Sequence, residues 1–147
     1  MEAAGQDVAT QVANLLNVGA DPQQADEKGE TAFNAAAANS PVTGRLMTLH
    51  WLRRALEGKG PKGLNDRSGS HGSTLAQYIA KWLNDDELET AVVAAMACGM
   101  KIDIPNASGW TPLTAASAMG RVRAVEVFAE RYAAESLLIT TTEEYST

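Results

Sequence analysis

The sequence predicts an all-α solenoid of repeated helix-turn-helix units. Two observations carry this. A pattern of turn, capped short helix, glycine and second helix over residues 106–128 recurs in part twice earlier in the chain. Aromatic residues are only 5% of the chain while alanine is abundant, which suits short helices stacking closely rather than a globule built around large rings. A helix-turn-helix unit has an apolar face it cannot bury alone, so copies of it stack.

The stretch NASGWTPLTAASAMGRVRAVEVF, from Asn106 to Phe128, shows the unit best. Gly109 suits a tight turn tip that needs positive φ. Thr111 offers an N-cap oxygen, and Pro112 takes the first helical position, where its missing N–H costs nothing. Ala115, Ala116 and Ser117 allow close approach by neighbours, and Gly120 ends the helix. Ala124, Val125, Phe128 and Ala129 then form an apolar stripe at helical spacing.

Partial copies stand upstream. Asp26 to Ala37 reads DEKGETAFNAAA, with Gly29, Thr31, Phe33, Ala36 and Ala37 in the roles of Gly109, Thr111, Leu113, Ala116 and Ser117. Gly72 to Ala80 reads GSTLAQYIA, and the second half of the unit recurs as LLNVGADPQQAD from Leu15 and as AMACGMKIDIPN from Ala95. On these residues the chain resembles an ankyrin-repeat protein, whose signature is Gly-x-Thr-Pro-Leu-His-x-Ala-Ala, a Gly, paired aliphatics and Gly-Ala-Asp at a period of about 33 residues. Thr114 replaces the His, and the Pro is Ala32 and Leu75 in the other copies. From Thr31 to Thr74 is 43 residues and from Thr74 to Thr111 is 37, so the middle repeats carry insertions. The resemblance covers roughly Val8 to Tyr132. It implies an ankyrin solenoid of helix-turn-helix units joined by β-hairpin-like turns.

In chain order, 8–25 reads as an N-terminal half repeat, a lone outer helix over Val8–Val18 with Val8, Val12, Leu15 and Leu16 inward and Gly19 ending it. Residues 1–7 are expected to fray. Repeat 1 spans 26–65, with an inner helix over Ala32–Asn39, a break at Pro41 and an outer helix over Gly44–Leu56. Leu46, Leu49, Leu52 and Leu56 are expected inward, with Arg45, Arg53 and Arg54 turned out and Trp51 half-buried on the convex side. EGKGPKG then forces a loop. Repeat 2 spans 66–105. Its DRSGSHG turn reads as extended or mobile, Ser73–Trp82 as inner helix, and Asp86 with Glu89 as a capping box for the outer one. Repeat 3 and its cap span 106–138, and the polar tail 139–147 is expected to be disordered.

Net charge is −6, unevenly spread. Residues 45–71 hold six basic and two acidic side chains, giving +4, against six basic and sixteen acidic elsewhere, giving −10. So acidic a chain, with one basic segment, is not expected to bind nucleic acid nonspecifically. The lone Cys98 excludes an internal disulfide and points to a reducing compartment. Neither a signal peptide nor an apolar run long enough for a membrane span is visible, so a cytoplasmic protein without a membrane partner is expected.

Catalytic and metal patterns read as bland. Asp66, His71 and Ser68, Ser70 or Ser73 lie near one another in sequence, but all fall in one loop and lack the separate rigid elements a triad needs. The Gly58–Gly63 loop lacks the phosphate-loop spacing. Asp85, Asp86, Glu87 and Glu89 lack the calcium-loop spacing and suit a helix N-terminus. Two histidines and one cysteine make no zinc set, and Cys98 reads as a small, semi-buried filler. No cofactor is expected.

Surface recognition remains. In ankyrin proteins partners bind the concave side, built from turn tips and the exposed ends of inner helices. Carried over by position, the tips are Glu27, Lys28 and Glu30; Ser70, His71 and Ser73; and Ala107, Ser108 and Trp110. The inner-helix positions are Ala38 and Asn39; Lys81 and Trp82; and Ala118 and Met119. Two tryptophans and a methionine on one face suit a hot spot. The resemblance thus implies a non-enzymatic protein-binding module, monomeric alone, whose partner is another protein. The alternative is a regulatory or targeting segment of a larger enzyme or secreted effector. A third reading has the basic 45–67 segment meeting an acidic protein, lipid headgroup or RNA.

Overall fold

The computed structural model describes residues 10, 14–19, 21–24, 26–28, 30–59 and 62–146, with the side chains of 36–39 and 135–146 left out. Six helices follow in order: α1 (Ala32–Asn39), α2 (Pro41–Leu56), α3 (Leu75–Trp82), α4 (Asp85–Ala97), α5 (Pro112–Ala118) and α6 (Val122–Ser146). Residues 14–17 are helical as well. No strand forms among the described residues, so the chain is all-α; an isolated antiparallel bridge joins Ser68 to Ser73.

The helix starts follow from their caps. Thr31 Oγ1 accepts from the Asn34 N–H at 3.1 Å, Ser40 Oγ from Thr43 at 3.4 Å, and Thr111 Oγ1 from Thr114 at 3.3 Å. Each satisfies one of the N–H groups a helix leaves orphaned. The stops are equally local. Gly58, Gly99 and Gly120 take φ of 71°, 105° and 70° just past α2, α4 and α5. The N–H of the next residue then returns to a carbonyl in the last turn: Lys59 to Arg54 at 2.8 Å, Met100 to Ala95 at 2.9 Å, Arg121 to Ala116 at 3.0 Å. This Schellman closure needs a left-handed residue, which glycine supplies without steric cost.

Each short helix is followed within three residues by a longer one, and α1–α2, α3–α4 and α5–α6 are in contact as pairs. Pairs join through α2 with α3, α3 with α5, and α4 with α6. An aromatic triangle locks the first junction. Phe33 of α1 lies 4.3 Å from Tyr78 of α3 between ring centroids, and Trp51 of α2 lies 5.5 Å from Tyr78. Such pairs are worth about 0.5–1.5 kcal/mol each beyond their buried area. At the second junction Leu75, Ile79, Leu83, Leu88, Val92, Ile102 and Phe128 are fully buried in the same cluster.

Several expectations need correction. Pro41 does break α1, but it opens α2 at once as its first residue, three positions before Gly44, because Ser40 caps it. The buried face of α2 is Gly44, Met47, Thr48, Trp51 and Leu52. Of the expected leucine stripe Leu52 is buried, Leu46 and Leu49 are half-buried and Leu56 is exposed. Trp51 is 3% exposed, with Nε1 donating to Gly63 O at 3.1 Å. A large ring with one donor completes the aromatic triangle better than any leucine. Leu15 is exposed while Leu16 is buried; Val8 and Val12 lie outside the described residues.

Further along, α3 starts at Leu75, two residues later than expected. The cap of α4 falls on Asn84, whose N–H donates to Glu87 Oε1 at 2.9 Å, two residues before the expected Asp86 and Glu89. The buried stripe of α6 is Ala124, Val127 and Phe128, with Val125 half-buried and Ala129 exposed. Cys98 is exposed. Residues 139–146 continue α6 as helix. Extending a formed helix needs no new nucleus, so the threonines there cost only a few tenths of a kcal/mol each, roughly.

Charged clamps join the outer helices. Arg45 on α2 holds Glu87 on α4 in a bidentate pair, Nε to Oε1 at 2.7 Å and Nη2 to Oε2 at 2.5 Å. From the other side Arg123 on α6 reaches Glu89 at 3.0 Å. Arg121 donates to Ala80 O at 2.9 Å, to Leu83 O at 2.5 Å and to Asp85 at 3.1 Å, closing the C-terminus of α3. The acidic start of α4 is therefore an anchor for both neighbours as well as a dipole-favoured terminus.

Candidate functional site

The site is built from the loops that precede α1, α3 and α5. The first and third are alike. Asp26 Oδ1 accepts from the N–H groups of Lys28 and Glu30, both at 2.9 Å, and Asp26 N–H closes on Glu30 O at 2.8 Å. Asn106 Oδ1 accepts from Ser108 at 2.9 Å and Trp110 at 3.0 Å, and Asn106 N–H closes on Trp110 O at 2.8 Å. A short side-chain acceptor turning back on its own loop is the standard device for fixing such a tip.

The middle loop is held otherwise. Ser68 N–H donates to Ser73 O at 2.9 Å, and Ser68 Oγ hydrogen-bonds the Gln23 side chain. Ser68 and Ser73 are buried. The buried Ser68 hydroxyl, satisfied by Gln23, ties this loop to the segment before α1. Asp66 Oδ2 accepts from Gly63 N–H at 2.7 Å. Ala107 N–H donates to His71 O at 2.8 Å, so the second and third tips form one continuous edge.

Of the residues expected on the binding face, Glu27, Lys28, His71 and Ser108 are exposed and Glu30 is half-buried. Trp110 is 43% and Met119 46% exposed, at the two ends of α5. Ser73, 2% exposed, has no surface to offer and is removed from the face. Lys81 is partly buried, and burial lowers its pKa from the ordinary 10.5. Trp82 is packed against the core cluster with its Nε1 enclosed, so it serves the stack more than the surface. The Asn39 and Ala38 side chains lie outside those described.

Two contributors were invisible from residue types alone. Gln77 is completely buried in α3, yet its Nε2 donates to Trp110 O at 2.5 Å, with Ile104 O at 3.4 Å. Its signal was a lone amide inside the apolar run LAQYIA. Asn65 donates Nδ2 to Gly99 O at 2.9 Å and accepts from Lys101 N–H at 2.7 Å, tying two loops behind the site.

No family model and no curated protein matches the chain. Among solved structures, the chain is similar to the complex of a predatory endopeptidase from Bdellovibrio bacteriovorus with an immunity protein. The identity is 19%, the TM-score 0.49, and the match covers 86% of this chain and 60% of that one. Among the described residues no helix is long and apolar enough to cross a membrane, and no group of His, Cys, Asp or Glu is placed to hold a metal ion.

Proposed function

We propose that this chain is a non-enzymatic protein-binding module, a short ankyrin-type stack that engages a partner protein along the edge of loop tips running to α5. The observation that carries this is the state of Trp110. Its main chain is held by three hydrogen bonds, from N–H to Asn106 Oδ1 and to its carbonyl from Asn106 N–H and Gln77 Nε2. Its indole is nevertheless 43% exposed. A solvent-facing tryptophan on a main chain that is already fixed has less to order on binding, which suits a hot spot. Met119, the other exposed apolar side chain of this element, supplies an adaptable contact at its far end.

The ankyrin reading draws support from three loop-to-helix units entered at Thr31, Thr74 and Thr111, of which Thr31 and Thr111 cap through their side chains. At the corresponding position three residues on, Asn34, Gln77 and Thr114 are all polar. Two of these link successive units: Asn34 Oδ1 accepts from Tyr78 OH at 2.5 Å, and Gln77 reaches Trp110.

The test is Trp110→Ala beside Met119→Ala, measuring thermal stability and capture of partner proteins from lysate. Stability should change by no more than about 0.5 kcal/mol, as for a surface position. Capture should fall by about 2 kcal/mol or more for Trp110→Ala. A large stability loss with undiminished capture would sink the proposed face.

A further inference from the structure

The first helix pair exposes a surface that the later pairs bury. Counting from the capping threonines, Ala32 and Ala35 of α1 correspond to Leu75 and Tyr78 of α3 and to Pro112 and Ala115 of α5. Leu75 is 0%, Tyr78 4% and Ala115 1% exposed, and Pro112 is buried as well. Tyr78 is covered by Phe33 and Asn34 of α1, and α5 packs on α3. Ala32 and Ala35 are exposed. They floor an open groove of about 470 Å³ rimmed by Asp21, Asp26 and Glu30.

We infer that this groove is a second docking surface, taking a basic helical segment of a partner protein in the place that a preceding inner helix would fill. The inference concerns the opposite end of the molecule from Trp110 and does not depend on that face. Three features point to the occupant. The floor is methyl-sized, which lets a helix approach closely. The position of Ala35 corresponds to Tyr78 of α3, which Phe33 and Asn34 of α1 cover. The stretch 19–31 around them carries four carboxylates against one lysine, so the electrostatic complement is basic. A second copy has a net charge of −6 but carries the +4 segment 45–71, and its occupancy is one outcome of the test below.

The probe is a fluorescent helical peptide of alanine with lysine at every fourth position, beside a matched glutamate peptide, titrated by anisotropy against the full chain. The lysine peptide should bind and weaken as salt rises through the physiological range. Ala35→Arg places bulk and positive charge in the groove at an exposed helical position, and should weaken binding roughly tenfold or more. Circular dichroism checks that this variant keeps its fold, and Glu30→Gln is the milder variant if it does not. Trp110→Ala should bind the peptide as the wild type does. Equal binding of the glutamate peptide, or unchanged binding by both groove variants, overturns the inference. So does self-association of the wild type that Ala35→Arg abolishes, which would make a second copy the occupant.

Discussion

Gln77 and Trp110 are thirty-three positions apart in the chain, yet the buried amide of one donates to the main-chain carbonyl of the other at 2.5 Å. A residue with no exposed surface thus sets the position of the most prominent exposed ring on the proposed binding edge. Gln77→Leu would remove that bond while keeping bulk in the core. Expected is a stability loss of about 1–2 kcal/mol, read by urea unfolding, together with faster hydrogen exchange in the Asn106–Trp110 loop. Unchanged exchange there would show that Asn106 alone fixes the tip.

Arg45 and Glu87 form a bidentate, partly buried pair between α2 and α4. The pairing hydrogen bond from Arg45 is the main reason the Glu87 pKa lies below the ordinary 4.5. A depressed carboxylate contributes stability above its unfolded pKa and loses it as pH falls through the folded value. The wild type should therefore lose stability below about pH 4.5 more steeply than Arg45→Ala. At neutral pH, a double-mutant cycle with Glu87→Ala should give a coupling of about 0.5–1 kcal/mol.

Arg121 closes the C-terminus of α3 with bonds to two carbonyls and to Asp85. Arg121→Ala should cost roughly 2 kcal/mol, since charge-assisted bonds to otherwise orphaned carbonyls are among the stronger ones. Arg121→Lys should recover little of it, because an ammonium lacks the planar fork that serves several acceptors at once. Thermal unfolding of the two variants gives the comparison. Full rescue by lysine would reduce the contact to simple charge.

Tyr78 is enclosed by Phe33 and Trp51 and donates to Asn34 Oδ1, and burial pushes its pKa up to about 12. A raised phenol favours the neutral form in the fold, so its stabilisation holds below pH 10 and fades between 10 and 12. A spectrophotometric titration should show a late-ionising tyrosine that is absent in Tyr78→Phe. That variant should also lose about 1–2 kcal/mol by leaving the buried Asn34 oxygen unpaired.

The sequence by itself determined the local grammar. Thr31, Thr111 and Pro112 announce helix starts, Gly99 and Gly120 announce stops, and α1 is legible to the residue, because capping and left-handed termination depend on a few neighbours. The exposure of Trp110 and Met119 was legible too, since neither has a place in the repeating apolar stripe. Only the tertiary structure decided which face of each helix is inside. The leucines of α2 keep as good a helical period as the buried set, and Trp51 won because Phe33 and Tyr78 arrive from other helices to meet it. The same holds for Ser73, Gln77 and Ala35. Whether a hydroxyl is buried, an amide reaches a distant loop or an alanine lies open depends on what the neighbouring unit brings, and periodicity within one helix carries no record of that.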